Sequence, residues 1–195
     1  TTEDMQKMAA MEANTESYLK TSVWKHARHR IVWLLVLMLS ASITGAIISK
    51  YEAAFAAVPL LVSFIPMLMD TGGNCGSQSS TLIIRGLAVD ELHFADAAKV
   101  IWKELRVALL VGLGLGLVNA GSIMLRYNDP RLAVVVSLSL LCTVMCAKVT
   151  GGLLPIAAKR LGLDPALMAA PLITTVVDTV SMFIYFTVAT MFFGM

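Results

Sequence analysis

The chain has 195 residues, 57% of them hydrophobic and only 14% charged, with a formal net charge of +2 and a mean hydropathy of +0.78. A soluble domain carries nearer ~25% charged residues, so the deficit argues against a water-soluble globule and fits apolar runs of membrane-spanning length. The small, scattered charge excludes a nucleic-acid partner, and no nucleophile–base pair or Lys-bearing phosphate loop points to an enzyme.

Residues 2–19 mix acids and bases around Met5, Met8, Met11 and Leu19, a thin apolar stripe that predicts a short surface helix. A long polar head precedes the first apolar run, so no signal peptide is expected, and the start at Thr1 suggests a longer parent chain. Lys25 to Arg30 form a basic collar whose His26 and His29 are expected at solvent or headgroups. The first span is predicted over 31–49. The second covers 53–74, apolar as far as Met69, with Pro59 and Pro66 expected to kink it. Asp70 to Thr81 follows where that apolar run ends. Residues 90–103 predict an amphipathic helix along the membrane face, with Asp90 or Glu91 serving its N-terminus.

The third span, 107–125, carries Gly112, Gly114, Gly116 and Gly121, a spacing suited to close helix contact. The fourth, 132–155, holds Lys148 in its second half. The fifth is 166–193. Cys75, Cys142 and Cys146 suggest no disulfide framework and read as small packing side chains. The fold expected is an all-α membrane protein with five transmembrane helices. With the N-terminus cytoplasmic, Lys20, Lys25, Arg28, Arg30, Arg85, Lys99, Lys103, Arg106, Lys159 and Arg160 flank the cytoplasmic side. Only Lys50, Arg126 and Arg131 flank the other, a bias that follows the positive-inside rule and leaves the C-terminus external.

Two places can handle an ion. Asp178 stands alone in an otherwise uncharged hydrophobic segment, 12 residues (166 to 178) and so about 18 Å into the predicted span, near the middle of a ~30 Å hydrocarbon layer. A lone carboxylate there costs roughly 2.5–3.5 kcal/mol, and water or a cation is its usual compensation. Thr174, Asp178, Ser181 and Tyr185 fall on one helix face as a polar strip, with Thr175 beside it. The second place is Asp70 to Thr81, too polar for lipid. Gly72, Gly73 and Gly76 let backbone bend or approach closely, while Asn74, Ser77, Gln78, Ser79, Ser80 and Thr81 offer amides and hydroxyls to water. Oxygen ligands suit magnesium, calcium or manganese and leave sodium or a proton open. Two chains related by symmetry would set two copies of Asp178 across one axis.

These motifs, Pro66-x-x-x-Asp70-Thr71-Gly72-Gly73-Asn74-Cys75-Gly76-Ser77-Gln78-Ser79-Ser80-Thr81, Arg85-Gly86-Leu87-Ala88, Asp164-Pro165-Ala166, Pro171 to Asp178, and Ile184-Tyr185-Phe186, resemble the transmembrane domain of the MgtE family of magnesium channels and transporters. The resemblance covers Tyr18 to Phe193. It implies a homodimer in the plasma membrane whose pore runs along the two-fold axis between the second and fifth spans. Asp178 and the Thr174 carbonyl would then hold hydrated Mg2+, with Mn2+ or Ca2+ as further ions. Asn74 matches the second-span motif, Gly72, Gly73, Ser77, Gln78, Thr175 and Ser181 would line the path, and Asp70 and Glu104 would be acids near the cytoplasmic mouth. Residues 1–24 would end a cytosolic connecting helix, 25–195 would form the pore domain, and cytosolic N and CBS regulatory domains would belong to the full-length protein. Cys75 and Ala169-Ala170 depart from the family pattern. A sodium- or proton-coupled divalent cation carrier is the alternative, and a non-conducting membrane sensor a third class.

Overall fold

The computed structural model describes residues 2–9, 11, 18–168 and 170–194. Among them the regular structure is helical: α1 (Thr2–Met8), α2 (Val23–Lys50), α3 (Glu52–Ala57), α4 (Ile65–Ala88), α5 (Ala97–Tyr127), α6 (Pro130–Arg160) and α7 (Ala170–Phe193), with 3₁₀ turns at Pro59–Phe64, Phe94–Asp96 and Pro165–Met168. The predicted helix over 2–19 is described only as α1, and residues 12–17 lie outside the described residues. Lys7 of α1 pairs with Asp164 at 2.8 Å, docking this helix on the α6–α7 connection.

Local chemistry sets the boundaries. Ser22 caps α2 by accepting from Lys25 N at 3.3 Å. Asn128, at φ 49°, ends α5 in the left-handed region that Asn tolerates. Asp129 then accepts from Leu132 N at 3.1 Å, and Pro130 sits in the first turn of α6, where its missing N–H is no loss.

α4, α6 and α7 form the centre. Leu68, Val144, Ile173, Val177, Tyr185 and Phe186 fill their shared core. α5 packs on α6 through Gly112, where a Cβ would stand 2.6 Å from Leu141 Cδ1, and through Asn119, which donates to Ser137 Oγ at 3.1 Å. α2 rests mainly on α7 and leaves Leu34, Leu35, Met38 and Leu39 exposed, as a lipid-facing helix would. Ile83, Leu87, Val100 and Ile156 make a smaller core at the end where α4 and α6 finish and α5 begins. Lys159 and Arg160 lie at that end, the first donating to Leu87 O at 3.0 Å and the second stacked over Phe94.

Among the described residues, four helices are long and apolar enough to cross a membrane: Val23–Lys50, Phe94–Tyr127, Pro130–Arg160 and Pro171–Phe193. α4 has 24 residues, about 36 Å, but its polar middle separates it from those four.

Several expected boundaries move. The second span predicted over 53–74 is instead α3, a 3₁₀ turn and the start of α4. Pro59 opens the turn and Pro66 lies in the first turn of α4, so neither kinks a helix interior. Asp70 to Thr81, expected where the apolar run of the second span ends, is the middle of α4. The amphipathic helix before the third span is not separate: α5 runs unbroken from Ala97 into the membrane segment. Its approach is fixed by Asp96, whose carboxylate accepts from His93 N at 3.2 Å, rather than by Asp90 or Glu91. Of the cysteines read as buried packing, Cys75 is buried but Cys146 is exposed.

Candidate ion-path site

A 3.6-residue repeat sorts the polar residues of α4 onto one side. Asp70, Asn74 and Gln78, each a turn apart, are exposed, with Ser77 half-buried beside them. Asn74, Ser77, Gln78, Thr81 and Leu82 line an open groove of about 700 Å³. Gly72 and Gly73, predicted to line the path with them, are buried and turn toward α6 and α7. A Cβ on Gly72 would stand 2.7 Å from Thr143 Cγ2 and 2.9 Å from Val177 Cγ1; on Gly73, 2.8 Å from Thr174 Cγ2; on Gly76, 2.6 Å from Ile173 Cγ2. Such separations leave no room for a larger residue, so these glycines set how closely three helices cross.

That crossing brings α7 beside the polar face of α4. Asp178 is half-buried and receives no hydrogen bond among the described residues; the charge that acts on it is the like charge of Asp70. α7 starts at Ala170, so Asp178 lies 8 residues in (170 to 178), about 12 Å. That is one turn short of the midpoint of the 23-residue apolar helix Pro171–Phe193.

The polar strip predicted on α7 divides. Thr174 and Thr175 remain half-exposed, and their hydroxyls donate to Pro171 O at 3.0 and 2.9 Å. Ser181 is buried without a hydrogen-bond partner. Tyr185 is fully buried and donates to Leu61 O at 2.9 Å, so it locks the 3₁₀ turn to α7 and contributes nothing to the groove.

Asp70 and Glu104, expected together near one mouth, are apart. Asp70 is level with Asp178. Glu104 is 8% exposed and accepts from Ser79 Oγ at 2.5 Å, nine residues (70 to 79) and about 13 Å along α4 from Asp70. Lys148, also buried, donates to the same Ser79 oxygen at 3.5 Å. Sequence reasoning counted Ser79 only among the residues offering oxygen to water, and gave no role to Lys148 or Thr44, whose hydroxyl meets that of Thr179 at 2.8 Å and ties α2 to α7. The signal for Lys148 was present: a lone cation in an apolar run calls for a partner as much as a lone Asp does.

Among the described residues no three His, Cys, Asp or Glu gather into a dehydrating metal cage. The arrangement offers two neighbouring carboxylates and a row of amides and hydroxyls, which suits a cation that keeps water around it.

The sequence profile of the MgtE family, described as a divalent cation transporter, matches residues 65–188. The chain is 38% identical over 190 residues to the magnesium transporter MgtE of Thermus thermophilus, covering 96% of this chain and 42% of that protein. It is 34% identical over 190 residues to the Bacillus subtilis protein of the same name, covering 97% and 42%. With that of Enterococcus faecalis it shares 32% over 168 residues, covering 86% and 37%. The chain thus spans about two fifths of the length of the curated relatives it matches.

Proposed function

This chain belongs to the MgtE family of divalent cation transporters, and from that premise we propose that it is the membrane domain of a magnesium transporter. In this reading α4 is a fifth membrane helix. Hydrated Mg2+ passes along its polar face, held at the level of Asp178 and Asp70 and conducted past Asn74, Ser77 and Gln78. The relatives named as magnesium transporters support the choice of ion. The observation that carries the path is the nearness of Asp70, on the exposed polar face of α4, to Asp178, the one charged side chain of α7, on which its charge acts.

Lipid cannot cover that face, because amides and carboxylates lose water there without gaining partners. A second copy of the chain, presenting the same face across a two-fold axis, closes it and doubles the carboxylates. Two or four acids of one sign then hold a divalent cation through its water shell, which Mg2+ gives up reluctantly. Mn2+ and Ca2+ would enter the same oxygen-lined path less selectively. The basic residues at the ends of α4 and α6 and the start of α5 support a cytoplasmic side for that end in a plasma membrane. Cytosolic regulatory domains complete the full-length protein.

The test is uptake into proteoliposomes containing an Mg2+-sensitive dye. Asp178→Asn is expected to lower initial uptake about a hundredfold, some 2.7 kcal/mol along the path, with the protein still folded by size exclusion. Uptake within threefold of the unaltered protein, for both Asp178→Asn and Asp178→Ala, would reject this site.

A further inference from the structure

Glu104 and Lys148 are the interior charges that the ion path does not use. Glu104 on α5 is 8% exposed and Lys148 on α6 is 5% exposed. They meet through one atom of a third helix. Ser79 Oγ on α4 donates to Glu104 Oε2 at 2.5 Å, and Lys148 Nζ donates to Ser79 Oγ at 3.5 Å. A carboxylate and an ammonium therefore flank one hydroxyl, each held by a different helix. The surroundings are tight on the α6 side, whereas on its other side Glu104 lines a cavity of about 250 Å³ with Arg85, Glu91 and Lys103. A Cβ on Gly152 of α6 would already stand 3.4 Å from Glu104 Cγ, and Gly151 lies against the backbone of Gly76.

Ser79 also stands in a fixed angular relation to the groove. At ~100° per residue, it is turned about 140° around α4 from Asn74 and about 100° from Gln78. The rotation of α4 that brings Ser79 to the charge pair is thus the one that turns Asn74 and Gln78 outward. An apolar contact could hold α4 against α5 and α6, but it would tolerate small rotations. A buried opposite-charge pair adds little net stability and strongly penalises any displacement that separates its members.

We propose that Glu104, Ser79 and Lys148 form a buried charge latch that fixes the rotation of α4 and thereby the side chains presented to the passing cation. They are positioning residues for selectivity, and the inference rests on the ion-path reading above.

The test uses the full-length protein in proteoliposomes. Its readout is the ratio of initial Mg2+ to Ca2+ uptake per folded dimer, because a merely structural defect scales both rates together. Glu104→Gln or Lys148→Met alone leaves one uncompensated charge, and each is expected to lower the ratio about tenfold. The double variant Glu104→Gln/Lys148→Met removes both charges and should return the ratio to within about threefold of the unaltered protein. Ratios that stay unchanged in the single variants, or fall further in the double, overturn the latch. Should the single variants not fold, Ser79 carries the test: Ser79→Ala is expected to lower the ratio about threefold and Ser79→Thr to preserve it. An unchanged ratio in Ser79→Ala overturns the proposal. Asp178→Asn, run alongside, separates the two claims. Loss of uptake there with unaltered ratios in the latch variants removes the latch alone, whereas retained uptake there removes the ion path.

Discussion

Charge inside this bundle is treated in two opposite ways. Asp70 and Asp178 carry the same sign, one exposed and the other half-buried, and among the described residues no cation of the protein is paired with them. Glu104 and Lys148 carry opposite signs, are closed off from solvent, and share the hydroxyl of Ser79. The second arrangement is satisfied through that one hydroxyl, which bridges the two charges. In the proposed reading the first stays incomplete until a cation from outside joins it. A buried, hydroxyl-bridged pair of opposite charges would then mark structure, and a neighbouring pair of like charges a place for cargo.

That contrast predicts opposite signs for two charge deletions. Lys148→Met leaves Glu104 buried without its counter-charge and should destabilise the protein by about 3–5 kcal/mol, read from denaturant unfolding in detergent. A loss below about 1 kcal/mol would mean that the two regions do not differ in kind. Asp178→Asn should do the reverse to stability, which stays level or rises because a like charge is removed, while Mg2+ uptake falls about a hundredfold, or some 2.7 kcal/mol. A drop in its melting midpoint alongside unchanged uptake would break the comparison.

The two faces of α4 sharpen it further. Gly76→Val adds atoms where a Cβ alone would meet Ile173 Cγ2 at 2.6 Å, and should cost about 1–3 kcal/mol through overpacking. Gln78→Ala, on the exposed face a half-turn away, should leave the same unfolding midpoint in place, since surface changes generally fall within about ±0.5 kcal/mol. The smallest effect expected is that of Thr44→Val, which removes the hydroxyl contact between α2 and α7. It should cost about 0.6 kcal/mol in bilayer-like detergent and make α2 the first helix to gain hydrogen exchange. Exchange spread evenly over the bundle would contradict the peripheral place of α2.

Much of the framework was legible in the chain. Apolar runs around 31–49, 107–125, 132–155 and 166–193 located four long helices, because length and transfer free energy constrain such segments more than any local preference does. The isolated acid of α7 was equally visible. The centre of α4 was not. Gly72, Gly73 and Gly76 argue locally for a turn, and the packing of α6 and α7 against them overrides that preference. Asp70 and Glu104 looked alike as acids beside spans. Only the helix crossings show that one brings its charge to Asp178 and the other is buried against Ser79, 25 residues before it in sequence. Ser181 and Tyr185 shared a face with Asp178 by periodicity, yet the core claimed both, because the apolar surface of α7 is wider than one polar strip.

Sequence alone determined the class of this protein, its long helices, and the presence of one acid where hydrocarbon would not tolerate it, since these depend on hydropathy and on spacing along a single helix. Tertiary structure decided which polar residues face outward, which charge is compensated from within, and why the glycines are there. Those outcomes depend on distances between helices far apart in the chain, and no local property of the sequence encodes a distance across a bundle.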